Sequence, residues 1–512
     1  MKTMAEMWDL HRRRSPHALA AVSDDRRLTY DELTDRAARL ASAFARLGVG
    51  HQDRVAMMAM NRLEWFDFYC AAERFGFIAA TVNFRLAAPE VAFILSDSDP
   101  TIFVFEGQYA DLVGAIRDQL PGIRHFVCLD EPRPDWALSY QGLIASGDPA
   151  GTEIVPHPED IVRLLYTSGT TGRPKGVARS QYADLLTAQG AYTNMAFRPL
   201  SSCLLSMPMF HLGAQVIEAA MHWGGGAVHL HRSFDPAATL ATIARERIEM
   251  TLMVPAMLQQ VLDLEDVAQY DVSSLYCITY SAAPMPVTLL RRALDVFGPI
   301  FVNVYGQTEC GQGTAFYARE HRPDGDARDL QRLGSIGREH QFTAIRIVDD
   351  QGRDCAIDQP GEIIIKTDTA MSGYWRNPEA TAETVKDGWV HTGDIGKIDE
   401  DRYIYLVDRK KDVIISGGEN IYCREIEEAL MAHPSVREVA VIGVPDSKWG
   451  EAVKAIVVAV AGTSPTEAEL IDHCKGRIAR YKHPRSVAFM DDLPRLASGK
   501  VHKVTLRSLF RS

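Results

Sequence analysis

The chain has 512 residues, too many for one core, since a domain commonly spans about 50–250 residues, so at least two domains are expected. With 46% hydrophobic and 24% charged residues, its composition is that of a soluble globular protein rather than a disordered chain. A net charge of −12 disfavours a nucleic-acid binder, which neutralises phosphates with clustered cations, but leaves room for a small anionic substrate in a local positive field.

The opening run MKTMAEMWDLHRRRS holds no apolar stretch of the signal-peptide kind. No window of the chain reaches about 18 consecutive apolar residues, so no membrane span is expected. The run LTYDELTDRAARLASAFARLGV predicts a helix: Thr29 is its N-cap, Leu33, Ala37, Leu40 and Phe44 follow at helical spacing, and Gly48 closes it. RVAMMAM and TIFVF predict buried strands. The apolar run DIVRLLY then empties into YTSGTTGRPKGV, Tyr166 to Val177, with three glycines, four Ser/Thr hydroxyls and two cations. Backbone N–H groups, hydroxyls and Lys175 are all donors suited to phosphate. The Walker pattern fails here, because Pro174 stands where a glycine is required and Gly176 follows Lys175. The run is a phosphate loop of another kind or a surface turn.

Further on, CLLSMPM, AVHLH, EMTLMVP, SLYCITYS and IFVNVYG predict strands separated by helical stretches, the pattern of a layered α/β domain with mostly parallel strands. After about Gly334 the chain turns strand-rich, with a turn at 399–402 joining two alternating strands. Beyond residue 410 an α+β unit is expected: strand DVIIS, Gly417-Gly418, helix REIEEALMAH, strands REVAVIGV and AVKAIVVAV, and a helix with Ser464 as N-cap, Pro465 first and Glu467 three residues after the cap. Residues 493–512 carry five Lys/Arg and no acid. The eight cysteines form no CxxC pair, which argues against a zinc ribbon and fits a reducing, cytoplasmic setting.

Four motifs carry candidate chemistry. NVYGQTEC brings Tyr305, Thr308 and Glu309 to the carboxyl end of a strand, where ligands gather in open α/β sheets; they could stack a base, bond a phosphate and hold Mg2+, or be core and a solvated helix start. HTGDIG sets Asp394 after a glycine, as a ribose acceptor or an Asx-turn. SGK places Lys500 after a Ser-Gly turn, and MPMFHLG holds His211; alone, these read as a solvated lysine and a core histidine.

Together and in this order, the loop at 166–177, YGQTE at 305–309, TGD at 392–394, DRKKDVIISGGENI at 408–421 and SGK at 498–500 resemble the adenylate-forming superfamily of acyl- and aryl-CoA synthetases, luciferases and nonribosomal-peptide adenylation domains, over nearly the whole chain. The resemblance implies an α/β fold: a large N-terminal domain of layered α/β subdomains with a small β-barrel-like subdomain, 1–409, and a small mobile α+β C-terminal domain, 410–512, hinged at Lys411. It implies that ATP and a carboxylic acid give an acyl-adenylate, which a thiol then attacks. Thr167, Ser168, Gly169, Thr170, Thr171, Gly172 and Lys175 are then the loop over the β- and γ-phosphates. Thr308 bonds the α-phosphate, Glu309 holds Mg2+, Tyr305 lies beside adenine, Asp394 and Arg409 take the ribose, and Lys500 bridges the acid and the α-phosphate. Rotation of the small domain withdraws Lys500 and brings up Gly417 and Gly418, where a pantetheine arm passes close to backbone. His211 gates the thiol.

The implied thiol is coenzyme A, with Trp449 on its adenine and Arg485 on its phosphate; otherwise Trp449 packs on its own domain and Arg485 is solvated. The implied acyl pocket takes His211, Leu212, Gly213, Ser281, Ala282, Val304, Gly306, Gly311 and Gln312. Small residues at 213, 282, 306 and 311 suit a ring-bearing, branched or medium-to-long acyl group. Cys423 replaces the usual proline after ENIY and has no base beside it in sequence, so no nucleophile is assigned to it. Lys500 resembles a site of regulatory lysine acetylation, and an acetyltransferase and a second copy of the chain are counted among the partners, with no nucleic acid. Two other readings stay open: an acyl-AMP ligase loading a carrier protein, and a nucleotide-binding sensor that has lost catalysis.

Overall fold

The computed structural model describes residues 1–167, 173–416, 419–446, 448–495 and 501–510. They form two compact units, Met1–Leu333 with Gly337–Ala344 and Ile365–Val390, and Gly334–Ile336 with Ile345–Ile364 and His391–Ser512.

Two sheets organise the first unit. In the nine-stranded sheet, Phe301–Gln307, Cys277–Tyr280, Met250–Met253, Ser202–Leu205, Ala227–Leu230 and Leu19–Ser23 lie side by side, all parallel. The eight-stranded sheet runs parallel from Ile161–Thr167 through Ile78–Thr81, Arg54–Met58, Ile102–Phe105 and His125–Cys128 to Leu138–Ser139. Parallel strands covered on both faces need unbroken apolar runs, and IFVF, AVHL, MTLM and CITY are buried at every residue. These are the runs from which strands were expected. The helix expected after Thr29 spans Tyr30–Arg46. Its cap is reciprocal: the Thr29 hydroxyl accepts from the Glu32 N–H at 3.2 Å and the Glu32 carboxylate from the Thr29 N–H at 2.8 Å.

Charge is buried between these layers. Arg163 is paired with Glu73 and, at 2.6 Å, with Asp184; Asp184 also meets Arg179 at 2.6 Å. Buried charges survive only when paired, and each of these four has a partner. Arg179 carries the network outward, donating to the carbonyls of Thr308 at 3.1 Å and Thr369 at 3.2 Å.

In the second unit, Trp389–Ile398 and Ile404–Arg409 pair antiparallel around the turn expected at 399–402. Beyond them, Glu419–Ile421, Ile414–Ser416, Gly450–Ala459 and Val436–Asp446 form a sheet that Ser486–Phe489 extends in parallel. Helix Cys423–Met431 buries Cys423, Ile426 and Leu430. One expectation fails: the later helix is Glu467–His473, capped by Thr466 and not by Ser464. The run SPTEAE holds two overlapping Ser/Thr-x-x-Glu boxes, and the structure closes the second, Thr466 with Glu469. The basic C-terminal stretch is used at home. Lys503 pairs with Glu427 at 2.8 Å, Arg507 with Asp412 at 2.7 Å, and Arg495 with Glu438.

Candidate active site

Strand Ile161–Thr167 delivers Thr167 to the carboxyl edge of its sheet, and Lys175–Ser180 returns antiparallel, with Lys175 opposite Thr167. The donors expected between them, Ser168, Gly169, Thr170, Thr171 and Gly172, lie outside the described residues, as do Gly417, Gly418 and Lys500. Gly176 is set by packing, because a Cβ there would stand 3.0–3.2 Å from the Tyr166 ring.

Lys175 and Glu309 gather around a residue the sequence reading passed over, with Thr308 next to Glu309 in the chain. Tyr374 pairs with Val177 across Gly373–Tyr374 and Lys175–Ser180. The Lys175 ammonium lies 4.9 Å from the centre of the Tyr374 ring, and the Tyr374 hydroxyl donates to the Glu309 carboxylate at 2.9 Å. Burial raises the pKa of the Tyr374 hydroxyl and the Glu309 charge raises it further, so the phenol stays protonated and acts as a donor. Its sequence signal is only an aromatic after a glycine. Backbone holds the partners: Met371 donates to the Glu309 carbonyl at 2.8 Å, and Arg179 fixes the Thr308 carbonyl. No cluster of three or more His, Cys, Asp or Glu able to hold a metal occurs among the described residues. A single half-buried carboxylate beside a cation fits Mg2+ that arrives on phosphates, since that ion keeps most of its shell from water and substrate.

The expected acyl residues share one end of the nine-stranded sheet. Ser281 and Ala282 follow strand Cys277–Tyr280, and Val304, Tyr305 and Gly306 belong to strand Phe301–Gln307. Gly311 and Gln312 open the antiparallel strand Gly311–Phe316. His211 caps helix Leu212–Trp223, its ring tilted on Phe210 with centres 4.4 Å apart. Ala282 has a φ of +70°. The small residues do not all mean space. A Cβ on Gly306 would meet the Gly311 carbonyl at 2.0 Å, and one on Gly311, at φ +70°, would meet the Thr369 hydroxyl at 2.9 Å. Those two glycines serve a bulged hairpin rather than pocket size. At Gly213 a Cβ would meet nothing within 4 Å.

In the second unit Asp394 and Arg409 are cross-strand partners, with Arg409 Nε 2.9 Å from the Asp394 carboxylate. Asp394 is buried, its own N–H bonded to the Thr392 hydroxyl at 3.1 Å, while Arg409 is partly exposed. Two residues on, Lys411 is exposed. Trp449 and Arg485 also come together, the guanidinium 5.8 Å and the Lys448 ammonium 4.8 Å from the indole centre. Asp446 accepts the N–H groups of Lys448 and Trp449, and those bonds hold its carboxyl below the ordinary range. The Cys423 thiol is buried against the Asp412 carbonyl, and burial pushes its pKa well up, in keeping with no nucleophilic role.

Comparison with known proteins covers the whole chain. Residues 8–375 match the model of the AMP-binding enzymes, and residues 425–500 that of the AMP-binding enzyme C-terminal domain. The indoleacetate–CoA ligase of Aromatoleum aromaticum is 37% identical over 512 residues, 99% of this chain and 98% of that one. The long-chain-fatty-acid–CoA ligase FadD13 of Mycobacterium tuberculosis is 36% identical over 519 residues, 98% of each. Among solved structures, ATP-bound MatB from Rhodopseudomonas palustris superposes with a TM-score of 0.90 at 29% identity, covering 100% of this chain and 99% of that one.

Proposed function

The chain belongs to the AMP-binding enzyme family, and from that footing we propose the chemistry and the residue roles that follow. It is an AMP-forming acid–thiol ligase. ATP and a carboxylic acid give an acyl-adenylate and pyrophosphate, and the sulfur of CoA then attacks the acyl carbonyl, expelling AMP. A free carboxylate is a poor target for a thiol, and AMP gives it a leaving group. The first step sets one anion against another, so cations and N–H donors must offset the charge that develops.

Lys175 and the loop 167–172 hold the β- and γ-phosphates, Thr308 bonds the α-phosphate, and Tyr305 lies beside adenine. Asp394 and Arg409 take the ribose hydroxyls, and Lys500 bridges the acid and the α-phosphate. Glu309 is the carboxylate for Mg2+. The observation that carries this reading is the cluster of Glu309 and Lys175 around Tyr374, an anion from the nine-stranded sheet and a cation from the eight-stranded one held by one phenol. In the second step the small domain, 410–512, turns about Lys411, Gly417 and Gly418 pass the pantetheine arm, and His211 gates it. Trp449 and Arg485 favour CoA over a carrier protein, since an indole with cations at its face suits an adenine and a phosphate. The acid is aromatic, alicyclic or a medium-to-long alkyl chain, in line with relatives named for indoleacetate and for long-chain fatty acids. Eight free cysteines, seven of them buried, support a reducing, cytoplasmic setting; no helix among the described residues is long and apolar enough to cross a membrane. Acetylation of Lys500 removes its charge and stops adenylation, and a homodimer is to be sought by sedimentation.

The test is pyrophosphate release over a panel of alkyl, alicyclic, benzoic, cinnamic and arylacetic acids, each with and without CoA. Turnover that depends on CoA is expected. A single equivalent of pyrophosphate despite CoA points to a carrier protein, and silence on every acid leaves either an acid outside the panel or the sensor reading.

A further inference from the structure

Tyr374 stands between two groups assigned to nucleotide binding. Its hydroxyl donates to Glu309 Oε1 at 2.9 Å, and its ring faces the Lys175 ammonium at 4.9 Å. A phenol has one proton to give. A carboxylate only accepts, so Tyr374 donates to Glu309. The ring is fixed by backbone on both sides. Gly373 and Tyr374 pair with Ala178 and Val177, the Trp375 N–H donates to the Gly176 carbonyl at 2.7 Å, and the Tyr374 N–H donates to the Thr381 hydroxyl at 2.9 Å. Met371 ties the same stretch to the Glu309 carbonyl. Phenol and ammonium therefore sit on one paired strand edge of the eight-stranded sheet, and the carboxylate meets them from the turn between Phe301–Gln307 and Gly311–Phe316 of the nine-stranded sheet.

We propose that Tyr374 is a positioning residue for adenylation: its hydroxyl occupies one oxygen of Glu309 and leaves the other free for the divalent ion that accompanies ATP, while its ring holds Lys175 at the exit of the phosphate loop. This rests on the reading of Glu309 and Lys175 given above. A carboxylate has two oxygens, and with one engaged by a neutral donor its rotation stops, so the second is presented in one direction. The ring offers its negative face to the ammonium and restricts a side chain with four rotatable bonds.

The two arms separate by substitution. Tyr374→Phe keeps the ring and removes the hydroxyl; Tyr374→Leu removes both. Mn2+ affinity is read by electron paramagnetic resonance on the complex with a non-hydrolysable ATP analogue, and analogue affinity is read again in EDTA. Tyr374→Phe is expected to weaken Mn2+ binding about tenfold, the loss of one hydrogen bond to a charged group, and to leave metal-free analogue binding unchanged. Tyr374→Leu is expected to show the same Mn2+ loss and, in addition, a severalfold loss in EDTA. Conversion of supplied acyl-adenylate to thioester should stay at the wild-type rate in both. Thr381→Val removes the acceptor of the Tyr374 N–H, loosens the ring without touching the phenol and should shift Mn2+ affinity in the same direction, which covers the case that neither Tyr374 variant folds. Wild-type Mn2+ affinity in Tyr374→Phe, or in Thr381→Val where that is the variant in hand, overturns the proposal while leaving Glu309 in place. A wild type that adds nothing to the analogue's own hold on Mn2+ overturns the role of Glu309, and this proposal with it.

Discussion

Thr308 and Trp449 were both named from short motifs, yet they are held in opposite ways. Behind Thr308 stands Arg179, which has no exposed surface and is braced by Asp184, itself shared with Arg163. Trp449 is 39% exposed, on a turn that Asp446 closes, with two cations at its face. Bonds buried in a low dielectric are strong and already formed before a ligand arrives, so their loss is felt in the chemical step. An exposed indole gains its energy only when something covers it, so its loss is felt in affinity. On the roles proposed above, two kinds of site sit in one chain: a preorganised one for the nucleotide and an open platform for the thiol.

The largest expected effect comes from Lys500→Ala. Adenylation should fall about a thousandfold or more, while supplied acyl-adenylate still goes to thioester at near the wild-type rate. Pyrophosphate release and thioester formation, measured separately, check this, and an equal fall in both would break the division of labour. Next comes Arg179→Met, which strips Asp184 of one partner and the Thr308 and Thr369 carbonyls of their donor. A loss of about 3–5 kcal/mol in urea unfolding is expected, with adenylation falling alongside. Trp449→Ala sharpens the comparison from the other side. The KM for CoA should rise about tenfold, as a lost stacking platform of about 1.5 kcal/mol implies, with the adenylation rate and the melting temperature little changed.

What could be read in advance follows the same division. Strands such as IFVF and MTLM were legible because a parallel strand buried on both faces leaves no alternation to misjudge. Asp394 and Arg409 were named together from the resemblance alone: a bulge between Ile395 and Gly396 shifts the hairpin by one residue, so the register set by the turn would not have put them opposite each other. Tyr374 could not be found from the sequence nearby either. Its strand has two residues, and the partner strand lies far upstream, where no local pattern announces the pairing. Arg163, Glu73 and Asp184 were illegible for the same reason: a buried ion network is assembled by the fold from distant segments. The misplaced cap at Ser464 is a different failure, since two boxes fit the same six residues and only packing chooses between them.

The smallest effect tests whether the preorganisation around the nucleotide site extends to the end of strand Cys277–Tyr280, which leads into Ser281 and Ala282. There His321 is buried, its Nε2 3.0 Å from the Tyr280 hydroxyl and its Nδ1 2.9 Å from the Tyr317 carbonyl. A carbonyl only accepts, so Nδ1 carries the proton and Nε2 accepts from Tyr280, which makes the ring neutral. Burial pulls its pKa from the ordinary 6.5 down to about 4, against the bond to Tyr317, which favours the charged form. The unfolded chain takes up this proton as pH falls through 6.5 and the native ring does not until near 4, so stability is lost over that interval as pH falls. From pH 7 to pH 6 the loss is about 0.7 kcal/mol. Other groups titrate in the same range, so the readout is a difference: urea midpoints of wild type and His321→Gln at both pH values. The variant should show a shallower fall by about that amount. Equal slopes would mean that the strand end breathes enough for His321 to be hydrated, which would leave the preorganised region confined to the nucleotide strands.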